Sequence, residues 1–452
     1  MKHKILTSLI ALFALSSFAA TQSIDGKTDT LEIKSGSDTY TFSQNISTIP
    51  SIIVINANPT IQGASTATQM TITGSRTTEL ATTGDIQLAG NAPGTAEKMT
   101  EYTTTFKTGT YNFEGSVFQI NTGINSQYYI PDPLGRTGDR YIKKTLTFAS
   151  DAIVNFNATK TYIFAHLNST SPLSEPIAYD RQIINFDGTV NTRKADAESI
   201  YLYDVSLNIS GTFNLGSGLV VSKNTVKITT SGAGQLASSY GKSYIKLKKD
   251  STLILEGGTG TFNVSNNVRI DGNGSTLKLV GNEILKNYDM TAQAQWIPVV
   301  SLYNYKNTTL AVEGLQTFAQ FNWTKSATNQ TAETDALILD FGKDVDSTII
   351  INTLMGKPSN SFVTELEGTD YFIRICLKNF DKDDTLVIKD LNASTDFTAD
   401  MLKHFYADGY DLSYDATTER IIATAQVPEP STYAMMFGAI ALVFALRKRV
   451  RA

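Results

Sequence analysis

The residue types that could carry chemistry are few, and they lie far apart in this chain. Of three histidines, His3 belongs to the first few residues, His166 to a strand-like run and His404 to a helix-like run. That distribution excludes a three-histidine zinc site, and no Gly-x-Ser-x-Gly setting accompanies a serine triad. Both later histidines read as structural or surface residues. Paired carboxylates are the other enzymatic signal, since enzymes on acidic polysaccharides use Asp or Glu with Arg or Lys, often with calcium. The nearest clusters are Asp381, Asp383 and Asp384 around Lys382, and Asp340 with Asp344 and Asp346. Adjacent carboxylates can gather calcium, but neither run has the glycine and ligand spacing of an EF-hand. Both fit solvated turns between strands better. Tyr128, Tyr129, Arg136, Asp139 and Arg140 crowd one Pro- and Gly-containing stretch. Flat rings meet sugar faces and arginine forks meet carboxylates, so this stretch reads as a candidate glycan-contact loop. The single cysteine, Cys376, cannot form an intramolecular disulfide, and its alternating setting FIRICLK predicts a small buried hydrophobe. No glycine-rich phosphate cradle opens a helix. The expectation is therefore no catalytic residue, no cofactor and no metal.

The elements that would position these residues are strands. Charged residues make up 18% of the chain and the net charge is -5. No basic face points to nucleic acid as a partner. Short runs with period-two alternation and β-branched or aromatic residues recur between Gly, Asn, Asp and Ser, which is the strand-and-turn signature. Thr252–Gly257 (TLILEG) returns as Thr276–Gly281, more loosely as Thr309–Gly314, and again as Ala336–Gly342. FNV and VRI, two further short strands, lie between Leu255 and Leu277. A coil of two or three short strands with Gly or Asn corners accounts for this spacing. The predicted fold is all-β, a right-handed parallel β-helix, with Leu253, Leu255, Leu277 and Leu279 inward and Ile254 and Lys278 outward. A β-sandwich array is the alternative, because it also gives short alternating strands. Residues 92–105, 126–144, 168–181 and 287–306 break the pattern and read as insertions, which on a solenoid often line the binding face. From Asp396 to Gly409, the spacing of Phe397, Met401, Leu402 and Phe405 predicts a helix, with Asp396 as N-cap. A hairpin around Asp415 to Thr418 follows, and helix and hairpin together should cap the stack.

The two ends read as addresses. Lys2, His3 and Lys4 precede an apolar run from Ile5 to Leu15, and small residues place signal cleavage after Ala19. At the other end stand Val427, Pro428, Glu429 and Pro430. An uncharged run from Tyr433 to Leu446 follows, then Arg447, Lys448, Arg449 and Arg451. The run is short for a span of about 20 residues, but long basic side chains extend its reach. Cations after an apolar segment stay cytoplasmic, which puts the body of the chain outside. The Val-Pro-Glu-Pro, helix and basic tail resemble the PEP-CTERM sorting signal of exported Gram-negative proteins. That resemblance covers about the last 26 residues and implies recognition by the membrane enzyme exosortase. It also implies removal of the transient inner-membrane anchor and delivery to the cell envelope or outside. The body loosely resembles the β-helix passengers of autotransporter-type adhesins. The domain reading is thus a signal peptide over 1–19, a β-solenoid over 20–395, a cap over 396–426 and a sorting signal with a transmembrane helix over 427–452. Proteins with such signals accompany exopolysaccharide and biofilm production. The expected function is therefore a structural or adhesive matrix role, with exosortase, membrane and extracellular polysaccharide as partners. The alternative is a polysaccharide lyase or hydrolase.

Overall fold

The computed structural model describes residues 21–24, 30–74, 85–89, 100–122, 142–164, 182–240, 243–258, 260–263, 268–271, 274–285, 299–302, 308–324, 337–357, 375–391 and 395–425. They form short strands that pair in parallel from coil to coil. One coil runs Thr100–Phe106, Gly109–Gly115 and Val117–Asn121. The next runs Ile142–Phe148, Ala152–Phe156 and Lys160–Phe164, and each of its strands lies beside the matching strand of the first. Three sheets result, called here the first, second and third in the order in which each coil visits them. Among the described residues the second contains eight strands, from Ile46–Ile49 to Thr261–Asn263. From Thr308 onward each coil has two strands among the described residues. A short one in the first sheet is followed by a longer one, as in Thr308–Glu313 and Leu315–Thr324. This is a β-helix-like stack. The sandwich alternative fails because sandwiches pair antiparallel, whereas among the described residues antiparallel pairs occur only at the C-terminal end.

Alternation explains why the stack closes on a dry centre. In a strand, successive side chains point to opposite faces, so every second residue enters the core. Leu253, Leu255, Leu277 and Leu279 are all fully buried, while Ile254 and Lys278 face out. The TLILEG repeats stack as the sequence predicts, with Leu253 beside Leu277 and Leu277 beside Leu310. The fourth copy is displaced by two residues, because Leu310 pairs with Leu339 and not with Leu337. A shift of two preserves the inward face, which is why the core tolerates it. Toward the N-terminal half the core turns aromatic. Phe106, Phe148 and Phe186 stack on successive coils with ring centroids 5.0 and 5.5 Å apart. The corner from the first to the second sheet is tight. A Cβ on Gly188, Gly211 or Gly234 would collide with carbonyl oxygens of the coil below.

Several expectations need correction. The stretch 92–105 is not strandless, because Thr100–Phe106 is a full rung of the first sheet. The loop expected over 126–144 gives way to strand at Ile142, and Lys144 points into the core. Cys376 is half-buried on the outer face, while its neighbours Ile375 and Leu377 fill the core. The cap contains no α-helix. Ala399–His404 is one short 3-10 segment with Thr398, not Asp396, at its N-cap. Its apolar residues are claimed by the solenoid end. Phe397 packs edge-on against Phe405 and Tyr414, and Phe405–Tyr406 pairs with Ile375–Cys376. Strand pairing at Phe405 leaves room for about two 3-10 turns. The hairpin forms as expected, from Tyr410–Asp415 and Arg420–Ala425, and lies antiparallel on Thr385–Leu391. The Asp415 carboxylate accepts from Thr418 Oγ1 and from the Thr417 N–H, which holds it below the usual range.

Candidate functional site

The structure brings the two acidic runs together. The turn after Leu337–Asp340 and the turn after Ile375–Lys378 are the same turn in successive coils. Phe341 and Phe380 anchor them in the core with ring centroids 4.7 Å apart. Above these rings lies a cavity of about 620 Å³, whose lining includes Asp344, Asp346, Asp381, Asp383, Asp384 and Asp408 and, among the described residues, only Lys343 and Lys378 as cations. Cys376 and Tyr410 complete one wall. The excess of carboxylates makes the space strongly negative.

Most of the inner carboxylate oxygens are committed to the turns themselves. Asp384 accepts the Ser347 N–H at 2.8 Å through one oxygen and the Asp381 N–H at 3.0 Å through the other. Burial, followed by repulsion from Asp381 and Asp346, outweighs those bonds and raises its carboxyl above the ordinary range. Asp381 accepts the Asp383 N–H at 2.8 Å. Asp340 sits just behind the cavity. Burial would raise its carboxyl, but bonds from Lys378 at 2.8 Å, Asn379 at 2.7 Å and the Gly342 N–H at 3.1 Å hold it low. Asp344, Asp346 and Asp408 are exposed at the rim. Burial also pushes the Cys376 thiol up, only partly countered by a bond from Tyr406, so no thiolate nucleophile is prepared. Among the described residues no group of three His, Cys, Asp or Glu is arranged to hold a metal. The arrangement does what turn carboxylates do, capping N–H groups that the corners leave without a strand partner.

His404 is buried in the cap, and His166 lies outside the described residues. The glycan-contact candidates Tyr128, Tyr129, Arg136 and Arg140 also lie outside them, as do Ala19, Val427, Pro428, Glu429, Pro430, the run from Tyr433 to Leu446, and Arg447, Lys448, Arg449 and Arg451. No helix among the described residues is long and apolar enough to cross a membrane. The stretch carrying Tyr128 joins the third-sheet strand Val117–Asn121 to the first-sheet strand Ile142–Phe148. The outer face of the third sheet is aromatic around Tyr162 and Tyr201. Tyr162 stacks on Tyr201 at 4.7 Å, and Lys160 and Lys248 approach the Tyr201 ring at 5.9 and 5.7 Å. These rings are not an open sugar platform, because Tyr162 is 1% and Tyr201 7% exposed.

The feature that sequence reasoning missed is the outer face of the second sheet. Asn112, Asn155, Asn191 and Asn214 fall on consecutive rungs. Each carboxamide donates to the oxygen of the one before it, at 2.8, 2.9 and 2.9 Å. A shorter ladder of Thr147, Asn185 and Asn208 runs up the first sheet. The available signal was the recurrence of Asn at the same distance after a Gly-Thr corner, as in Gly188-Thr189-Val190-Asn191 and Gly211-Thr212-Phe213-Asn214. No family model, curated protein or solved structure matches this chain.

Proposed function

We propose that this chain is an exported structural or adhesive protein of the cell envelope or extracellular matrix, built on a right-handed β-helix. The observation that carries the reading is the pairing of an uncharged, hydrogen-bonded Thr and Asn outer face with carboxylates that are spent on turns. An enzyme on a polymer needs an acid and a base converging on an open groove, and the described residues offer only the turn-capping set around Asp384. The outer face instead offers length and rigidity, which suit a scaffold. The hand follows from the right-handed twist of strands, which favours right-handed parallel crossovers. The terminal segments supply the route, with signal removal at Ala19, exosortase reading Pro428, Glu429 and Pro430, and a transient inner-membrane anchor over Tyr433 to Leu446. Extracellular polysaccharide is the proposed partner.

The test is intact mass and fractionation of the protein from its own cells. A species lacking both the residues up to Ala19 and the tail beyond Pro430, in the outer or released fraction, is the expected result. A full-length tail in the inner membrane would overturn the sorting. A polysaccharide lyase or hydrolase is kept as a second reading because of one observation, the raised Asp384 carboxyl inside a negative cavity. It predicts new chain ends in a polymer incubated with the protein, lost in Asp384→Asn. A calcium-stabilised scaffold predicts a lower melting temperature in chelator.

A further inference from the structure

We infer that the outer face of the second sheet is a docking track for an uncharged, hydroxyl-rich linear polymer, a neutral polysaccharide lying along the stacking axis. The inference rests on the adhesive reading above and names its ligand class and its surface. Register places two outward rows side by side. One is Thr71, Asn112, Asn155, Asn191, Asn214 and Ala237; the other is Gln69, Thr110, Ile153, Thr189, Thr212 and Gln235. All are at least partly exposed to solvent.

Charge selects the ligand. From Gln69 to Ala237 the only ionisable side chain among these outward positions is Glu114, at the edge of one strand. The first sheet is different, since its outer face pairs Lys227 with Glu256 at 2.5 Å and Lys278 with Glu313 at 2.6 Å. Within the rows a polyanion finds no cation, since Arg193 lies beyond the strand end and donates to Thr159 Oγ1, and a polycation finds almost no anion. A neutral polyol loses nothing by that absence.

The hydrogen-bonding inventory points the same way. A carboxamide offers two N–H donors and an oxygen with two lone pairs. In the ladder, Asn155 and Asn191 each use one donor along the axis and accept one bond. One donor and one lone pair per rung remain, and the Thr189 and Thr212 hydroxyls stand beside them. Rungs repeat about every 4.8 Å, so the face presents a periodic series of paired donors and acceptors. The ladder already fixes the side-chain rotamers, which removes part of the ordering cost of binding. Ile153 gives one apolar spot for the C–H face of a sugar. Each contact alone is weak, so retention should grow with polymer length, as it does for any linked series of sites.

The experiment is affinity electrophoresis of the full chain through gels containing a neutral glucan or a polyuronate, across a series of glucan lengths. Thr189→Val with Thr212→Val removes two outward hydroxyls while keeping β-branched shape. Thr189→Lys with Thr212→Lys blocks the row. Thr147→Lys, on the first sheet, is the control, and circular dichroism confirms that each variant is folded. The expected result is retardation by neutral glucan that increases with chain length. It should fall roughly tenfold in affinity in the Lys pair, several-fold in the Val pair, and stay unchanged in Thr147→Lys. Three results would overturn the track. Equal binding by the Lys pair is one, and polyuronate binding alone is another, which would leave the adhesive reading standing. The third is a dimer in the parent that becomes a monomer in the Lys pair, with no polymer retarded. Shortening of either polymer would instead sink the adhesive reading itself.

Discussion

Gly211→Ala tests whether the stack is closed by its corners. Gly211 lies between the first and second sheets, and its φ is outside the left-handed region. The glycine is needed there for space alone. An added Cβ would lie 2.5 Å from the Asp187 carbonyl oxygen and closer still to that of Gly188. That second oxygen already accepts the Thr212 N–H at 3.0 Å, one of the bonds holding coil to coil. Relief of the clash must push the coils apart and weaken this bond. Forcing a methyl into a packed site costs about 1–3 kcal/mol, and a compromised backbone bond adds about 1 kcal/mol. Less the ~0.4–1 kcal/mol of unfolded-state freedom that any Gly→Ala change removes, the expected loss is about 1–3.5 kcal/mol. Gly232→Ala is the matched control, because Gly232 has φ +60 and nothing within 4 Å of its would-be Cβ. Its cost is the left-handed penalty of about 1–2 kcal/mol, partly offset by about 0.4–1 kcal/mol of lost unfolded-state freedom. Urea unfolding followed by circular dichroism should place Gly211→Ala well below Gly232→Ala at equal slope. Two variants within about 0.5 kcal/mol of each other would refute the steric account of the corner.

Further predictions follow from single contacts. Tyr111→Phe removes the single phenol O–H, which is shared between the Ile61 carbonyl at 3.0 Å and the Lys107 carbonyl at 2.5 Å, and should cost about 1–3 kcal/mol in thermal or urea unfolding. Burial, aided by the Asp151 charge, holds the Tyr111 phenol well above its ordinary value. Its contribution is therefore complete below pH 10 and declines above that as the unfolded chain ionises. Absorbance titration should show this tyrosine ionising only with unfolding. Asn155→Ala and Asn191→Ala should each cost about 0.5–1.5 kcal/mol, and a double-mutant cycle should show coupling because the two share a bond. Asp340→Asn should destabilise by about 1 kcal/mol near neutrality. Because the folded carboxyl is held low, that difference is present above its ordinary value and fades as pH falls through the carboxylate range. Asp384 has the opposite sign, its contribution fading as pH rises.

How much of this could be read from the chain varies by element. The TLILEG copies gave the core leucines and their inward face correctly, because period-two alternation survives any even shift, as the displaced copy at Leu337 to Leu339 shows. Alternation carries no information about which rung sits on which. Register in the second sheet was therefore hidden, and with it the meeting of Asn112 with Asn155 across 43 residues of chain. The acidic turns were seen as separate clusters, although both follow a phenylalanine with a lysine two residues on, Phe341 with Lys343 and Phe380 with Lys382. That shared frame was the signal that they stack. The cap helix was overcalled because Phe397, Met401 and Phe405 have helical spacing, yet core burial and strand pairing claim them. Thr100–Phe106 was missed because its Thr-rich outer face lacks the apolar contrast on which a strand reading depends.

The distribution of connections gives the second sheet its character. Links from the first to the second sheet are short in the central coils. Phe106 to Gly109, Phe186 to Thr189 and Ile209 to Thr212 each cross with two intervening residues. Links from the third to the first sheet absorb most of the added length, as from Asn121 to Ile142, Phe164 to Gln182 and Lys357 to Ile375. The reason is steric. At the first corner a carbonyl of the coil below presses on Gly188, Gly211 and Gly234, so even a methyl is excluded, and a longer insertion there would disrupt the stacking of several rungs at once. The row through Asn112, Asn155, Asn191 and Asn214 therefore runs uninterrupted over consecutive rungs, flanked by the corner that is least free to change. A surface protected in this way suits a ligand that is itself long, regular and uncharged, and ill suits one that demands a single shaped pocket.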